Sequence, residues 1–428
     1  MANTKKGSDP TRSSRSGRKK TTTTSQQRTA KRVVKAAKKH KKAATAILVI
    51  LLILVIVGAV LFFTYDPVHN TVINLIRRYL SPAEPAASSG KNPPKAATYG
   101  DKDLSFHFLE LGNNYTGDST YIKAGDTDIL IDAGSRKESS AAIASYVDEY
   151  CTDGKLEFVI ATHAHQDHIA GFVGTKASPG IFARYECETI IDFAQTNATS
   201  AIYNSYVSSR DAEVDQGAVH YTALQCCRET DGAQVTYELG EGMTMTILYQ
   251  KFYEEKTKDE NDYSVCVLFN HGENYYLLTG DLEEAGEASL VESNSLPQVQ
   301  LFKAGHHGSY TASSKTLLSV IRPKIVCVCC CAGAVEYTQN KDRTFPSQDF
   351  INRVAPYTAK VYVTTVGSVK YNESTGKYED TGFTSMNGVI TVLSSAGTVT
   401  VTCSNNDTPL KDTDWFKANR TAPPAWSS

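Results

Sequence analysis

The sequence predicts an α/β layered domain held behind one membrane span. Segments of strand and helix character alternate from about Tyr99 to residue 404, the pattern of a sheet covered by helices. Clusters of histidine and aspartate fall directly after apolar strands, at His163–His168, Asp281 and His306–His307. Residues 43–63 form one long apolar run.

Composition and charge set the frame. The 428 residues are 41% hydrophobic and 21% charged, which excludes a wholly disordered, collagen-like or many-span membrane protein. The net charge of −2 sums two opposite parts. Residues 1–42 carry 15 Lys/Arg against the single acid Asp9, and the remainder carries 29 Lys/Arg against 45 Asp/Glu. A split this sharp points to different surroundings for the two parts.

Residues 1–42 read as a basic, disordered cytoplasmic tail of low complexity, with TTTTS at 21–25 and KRVVKAAKKHKK at 31–42. The tail suits anionic lipid headgroups. Nucleic-acid binding would call for interleaved aromatics, which it lacks. Residues 43–65 are the transmembrane anchor. In AATAILVILLILVIVGAVLFF (43–63) Thr45 is the one polar side chain, and 21 helical residues cover roughly 31 Å, the thickness of a bilayer's hydrocarbon. The Lys/Arg excess places the N-terminus in the cytoplasm and the acidic part outside. A cleaved signal peptide would have a shorter leader and a clear A-x-A site. Residues 66–99 combine a short juxtamembrane segment with a Pro/Ala/Ser linker that cannot hold a fold. Residues 100–404 form the folded domain, and 405–428 a tail without clear periodicity.

Within the domain, strands are expected at 104–111, 119–124 and 128–133, then a helix at 139–150 and a strand at 155–162. After a mixed stretch come strands at 244–250, 264–272 and 274–280. A helix at 283–293 and the strand VQLFKAG follow. The helix SSKTLLSVI, the strand KIVCVCC, the helix SQDFINRV and the strand KVYVTTV complete the series. The ten cysteines show no metal spacing; Cys327, Cys329 and Cys331 share one face of a strand and Cys330 the other, as small core residues do. An oxidising exterior would permit disulfides, whose pairing the spacing does not reveal.

The chemistry concentrates in His163-Ala164-His165-Gln166-Asp167-His168, directly after the strand ending at Thr162. An extended segment points His163 and His165 to one side. If the chain turns into a helix at Ile169, Asp167 and His168 face the same pocket. Neutral imidazole and carboxylate are ligands for Zn²⁺, Mn²⁺ or Fe²⁺. Asp281 ends YYLLTGD, and His306-His307-Gly308-Ser309 ends VQLFKAG. Alone, either is an ordinary strand-end residue; in this order after H-x-H-x-D-H they become specific.

On these motifs the sequence resembles the metallo-β-lactamase fold superfamily, and more narrowly the extracellular hydrolase domain of ComEC-type competence proteins. The resemblance covers roughly residues 103–397 and includes FHFLEL, GDSTYI, ILIDAGS, THAHQDHIAG, LLTGDLEE, KAGHHGSYTASS and FTSMNGVITV. With one apolar span, the sequence is expected to lack the channel-forming membrane domain of those proteins. The resemblance implies an αββα sandwich and two divalent metal ions, Zn or Mn. His163 and His165 would hold the first ion, Asp167 and His168 the second. Asp281 would bridge them, and His306 would complete the second site with His307 facing the substrate, or the two histidines would exchange these roles. Asp132, in IDAG, would orient a ligand histidine. Asp118, in GDS, lies near the same edge.

The chain departs from the family in three places. Relatives often have a further His before the bridging Asp; here only His220 and His271 fall in that interval. Arg343-Thr344-Phe345-Pro346 stands where competence-type relatives often carry Tyr-Gly-His-Pro. Asn113–Thr116 lengthens the turn before GDS.

The expected function is therefore a membrane-anchored extracellular hydrolase of phosphodiesters, with DNA, nucleotides and cell-wall phosphodiesters as candidate substrates. Asp167, His307 and Asp132 are its expected catalytic residues. Metal would draw the pKa of water from about 15.7 toward ~7, and two ions ~3.5–4 Å apart would steady attacking and leaving oxygens. His307 or a metal would offset the developing charge. The acidic outer part advertises no large basic groove for duplex DNA. The alternatives are a non-catalytic metal-bound binding module and a hydrolase of another ester or lactam class. The sequence carries no signal for oligomeric state.

Overall fold

The computed structural model describes residues 99–427. The basic tail, the apolar run 43–63 and most of the linker lie outside the described residues. Among those described, no helix is long and apolar enough to cross a membrane.

The strands run in chain order. They begin with β1 (Leu104–Phe108), β2 (Thr120–Ala124), β3 (Thr127–Ile131), β4 (Lys155–Ile160), β5 (Glu186–Asp192) and β6 (Val219–Thr222). Next come β7 (Thr236–Gly240), β8 (Met243–Leu248), β9 (Cys266–His271), β10 (Asn274–Leu278) and β11 (Leu301–Lys303). The last are β12 (Ile325–Ala332), β13 (Val361–Asn372), β14 (Lys377–Ser385), β15 (Ile390–Ser395) and β16 (Thr398–Cys403). They form two eight-stranded mixed sheets, ordered β16-β15-β1-β2-β3-β4-β5-β6 and β14-β13-β12-β11-β10-β9-β8-β7. Pairing is parallel from β3 to β6 and from β10 to β13, and antiparallel elsewhere.

The sheets stack face to face. Phe106 of β1 meets Phe269 of β9 at 5.3 Å and Tyr276 of β10 at 4.8 Å between ring centroids. Burying one such ring is worth about 1.5–3 kcal/mol. Helices cover the outer faces: α1 (Ser139–Val147), α2 (Gln166–Val173), α3 (Ala201–Asp215) and α4 (Ala223–Arg228) contribute to the same core cluster as the first sheet. Helices α5 (Glu284–Ser293), α6 (Lys315–Ile321) and α7 (Gln348–Val354) form a second cluster against the other sheet. The layers are those of an αββα sandwich.

Strand β12 shows why the parallel centre is apolar on both sides: Cys327 and Cys329 enter the inter-sheet cluster, while Val326, Val328 and Cys330 face the helices. All ten cysteines are free, so none of the disulfides that an oxidising exterior would permit is present. The segment after 404, which shows no periodicity in sequence, is also packed. Its short helix α8 (Asp414–Asn419) is capped by Thr413, and Leu410, Phe416 and Trp426 are buried in the second cluster.

Candidate metal centre

The site lies where parallel strands end, the edge at which α/β sheets present their ligands. After β4 the chain passes through Thr162 and His163, and His165 occupies the N-cap of α2, leaving Asp167 and His168 in its first turn. Asp132, just past β3, adopts a left-handed backbone (φ 59). Its Oδ1 accepts the Thr162 amide at 2.8 Å; its Oδ2 accepts the Thr162 hydroxyl and His168 Nδ1, each at 2.8 Å. His168 is thereby fixed with Nε2 turned away from Asp132.

Backbone contacts hold this loop in place. The Asp118 amide donates to the Asp167 carbonyl at 3.0 Å, the Gly134 amide to the Asp118 carbonyl at 2.8 Å, and the Ala133 amide to the His168 carbonyl at 2.7 Å. Such proximity requires glycine at 134. A Cβ there would lie 1.4 Å from the Asp167 carbonyl oxygen.

From the other sheet, Asp281 follows β10 and its amide donates to Ser264 Oγ at 3.1 Å. The turn after β11 carries His306 (φ 45) and His307 (φ 54), both left-handed, which splays two adjacent imidazoles in different directions. His307 is fully buried, and its Nδ1 donates to the Cys329 carbonyl at 2.9 Å. Its Nε2 lies 3.2 Å from Asp281 Oδ2 and 3.4 Å from Asp167 Oδ2. His168 Nε2 lies 3.1 Å from the same Asp281 oxygen. His306 is farther, at 3.9 Å, and partly exposed; its Nδ1 is 3.0 Å from Glu283 Oε1.

Asp167, His168, Asp281 and His307 thus converge. His168 Nε2, His307 Nε2 and Asp281 Oδ1 are buried without a hydrogen-bond partner. Buried polar atoms are seldom left this way, and nitrogen and carboxylate oxygen facing one point suit a divalent cation. Asp118, His168, Asp281 and His307 also have ligand atoms within 4.8 Å of one another. Yet Asp118 approaches the Nδ1 side of His307 (3.3 Å) and of His168 (3.8 Å), behind the rings, and pairs with the buried ammonium of Lys303. It backs the histidines rather than sharing their open side.

The remaining predicted ligands flank this group. His163 is buried with its ring 4.1 Å from that of His168, and its Nε2 lies 3.0 Å from Nδ1 of the exposed His165. His220 binds Asp192 at 2.8 Å and His271 binds Ser394 at 2.9 Å, so the geometry commits neither to the centre. Phe345 packs 5.6 Å from His306 and 5.7 Å from His307. Sequence reasoning passed over Glu283, Lys303 and Tyr337. A lysine inside the apolar strand VQLFKAG was a readable signal for the second; Tyr337 had none.

The charges are mutually dependent. Burial opposes a proton on His168, but Asp281 and Asp132 prevail and hold its pKa well above the usual imidazole value. Burial likewise opposes protonation of His307, and Asp281 and Asp118 overcome it. Burial, aided by charge on His168, pushes His163 well below that value. A cation entering between His168 and His307 must displace protons from imidazoles whose pKa is raised. Cation affinity is therefore expected to fall with falling pH, by up to about tenfold per unit for each proton displaced. Titrating Mn²⁺ or Zn²⁺ binding between pH 8 and 6 checks this; a flat profile would contradict it.

Asp132→Asn tests the orientation of His168. Asparagine keeps the shape but presents an amide in place of one carboxylate oxygen, so either Thr162 or His168 loses its acceptor. Cation affinity is expected to fall about 10–100-fold. Chelator competition measures it, and wild-type affinity would show that Asp132 only braces the loop.

The chain is similar to known proteins over part of its length. The family model of the metallo-beta-lactamase superfamily matches residues 112–180. Recombination protein 2 of Haemophilus influenzae is 32% identical over 117 residues, 27% of this chain and 14% of the relative. ComE operon protein 3 of Bacillus subtilis is 26% identical over 176 residues, 40% of this chain and 19% of the relative. The chain thus spans less than a fifth of either. Among solved structures, the metallo-beta-lactamase fold protein YhfI from Bacillus subtilis is 11% identical, with 61% of this chain and 95% of that one covered at a TM-score of 0.33. Residues 112–180 thus match the metallo-beta-lactamase superfamily model, and the sequence resembles a segment of ComEC-type competence proteins.

Proposed function

We propose that this protein is a metal-dependent hydrolase of phosphodiesters, tethered to the membrane by residues 43–65 with the domain outside the cell. The observation that carries the hydrolase reading is the convergence of Asp167, His168, Asp281 and His307 in one buried cluster, where two ring nitrogens and a carboxylate oxygen make no hydrogen bond. The similarity to competence proteins supports a phosphodiester, and the apolar run with its basic leader supports the tether.

These four residues would hold the cation, His307 rather than His306 on the evidence of distance and burial. His163, His165 and Asp281 would be the further ligands for a second ion, Zn or Mn as for the first. A bound cation supplies Lewis acidity, which makes water a nucleophile at neutral pH. The protein's own groups do the rest. Asp132 keeps His168 Nε2 forward, and the Cys329 carbonyl does the same for His307. Glu283 fixes the His306 ring, whose Nε2 stands on the partly exposed side where it would give a proton to the leaving oxygen. Asp118 and Lys303 neutralise each other beneath the site.

One observation favours a second reading. His163 and His165 contact each other, and the third histidine beside them, His168, is turned to Asp132 and Asp281, so a single-ion or purely binding module fits the first site better than two-ion chemistry. The experiment is hydrolysis of bis-p-nitrophenyl phosphate by the full-length protein in detergent, with Mn²⁺ or Zn²⁺. Chelator-sensitive nitrophenol release is expected. If neither this ester nor single-stranded DNA is cut while metal is bound, the binding module stands instead.

A further inference from the structure

The segment after β12 reaches the centre through Tyr337 and is tied down on both flanks. Glu336 Oε1 pairs with Arg136 Nη2 at 2.5 Å, and Glu336 Oε2 accepts the Thr116 amide at 3.2 Å. Thr116 and Arg136 belong to the two loops that press on the Asp167 backbone, one before Asp118 and one after Gly134. Upstream, the Val335 amide donates to Asp380 at 2.9 Å. Downstream, the Gln339 side chain donates to the Tyr378 carbonyl at 3.1 Å and accepts its amide at 2.9 Å. Between these ties sits Tyr337. The residue is 52% exposed, an unusual place for a large aromatic, and its ring packs 5.6 Å from Phe345. Its hydroxyl nevertheless turns inward and donates to Asp167 Oδ2 at 2.7 Å.

We propose that Tyr337 is a positioning residue for Asp167, held over the metal centre by the Glu336–Arg136 strap. This rests on the reading that Asp167 holds a cation. Asp167 stands in the first turn of α2, where a carboxylate has rotamers to choose from. The phenol occupies one oxygen, the one 3.4 Å from His307 Nε2, and so fixes the plane of the whole carboxylate. Support of this kind behind a metal ligand is worth about 10–100-fold in metal affinity. Packing on Phe345 alone would not need the hydroxyl.

Tyr337→Phe removes only the hydroxyl and keeps the stack on Phe345. In the full-length protein, chelator competition is expected to show about tenfold weaker Mn²⁺ or Zn²⁺ binding. Hydrolysis of bis-p-nitrophenyl phosphate should fall at limiting metal and recover at saturating metal with KM unchanged. The urea midpoint of the metal-free protein should not move. Glu336→Gln, which loosens the strap but keeps the phenol, should weaken binding in the same direction by a smaller factor. Wild-type metal affinity in Tyr337→Phe overturns the proposal, as does a loss of affinity matched by a loss of metal-free stability. A wild-type protein that binds no divalent cation overturns both this proposal and the function it rests on.

Discussion

Asp281→Asn is expected to abolish tight cation binding and to lower phosphodiester hydrolysis by about 10³-fold or more. Asp281 is the residue on which the site closes. One of its oxygens lies 3.1 Å from His168, 3.2 Å from His307 and 3.9 Å from His306, and the other is buried without a partner. Burial opposes its charge, but the surrounding imidazoles hold its carboxyl well below the usual carboxylate range. Asparagine fills the same space and removes the charge. Two consequences follow in opposite conditions. With metal, the ligand set loses its central anion. Without metal, His168 and His307 lose their main counter-charge, and breaking a buried pair costs about 3–5 kcal/mol. Metal content and turnover measure the first, and urea unfolding of the metal-free variant the second. Turnover within tenfold of wild type would remove Asp281 from the chemistry.

Gly134→Ala is expected to destabilise the domain by at least about 3 kcal/mol and to strip the centre of metal. A Cβ at 134 would lie 1.4 Å from the Asp167 carbonyl oxygen, 2.1 Å from its carbon and 2.9 Å from the His168 nitrogen. All are backbone atoms, so no side-chain rotation relieves the clash. The loop after β3 or the start of α2 must move, and with it Asp167 and His168. Gly117 presses on the same carbonyl from the other side, where a Cβ would lie 2.8 Å away, so the chain has no room to yield. Urea denaturation with metal analysis on the same sample checks both halves. A variant with wild-type stability and metal would show that the loop is slack.

The strand KIVCVCC was readable because a strand between parallel neighbours, buried on both faces, leaves a continuous apolar run. Helix α3 was hidden in a mixed stretch. Its face is polar, with Tyr206 and Glu213 its buried residues, so no period of 3.6 stands out. Strands β14 and β16, for which no strand was expected, alternate between partly and fully exposed residues, so no buried face marks them. The packed tail was illegible for a different reason: Trp426, Phe416 and Leu410 are too widely spaced to signal anything until the second cluster receives them.

The candidate site divides in the same way. Residue chemistry and order along the chain mark His163, His165, Asp167, His168, Asp281 and the His306–His307 pair, because ligands next to strand ends leave a local trace. Composition alone also separates a basic leader from an acidic domain. Only the tertiary structure decides between neighbours: the left-handed turn buries His307 and leaves His306 at the rim. It alone sets Lys303 against Asp118 and brings Tyr337 to Asp167, 170 positions away. A period or a motif reports what one segment does by itself. Distances across two sheets depend on where every other segment packs, and no single stretch of chain encodes them.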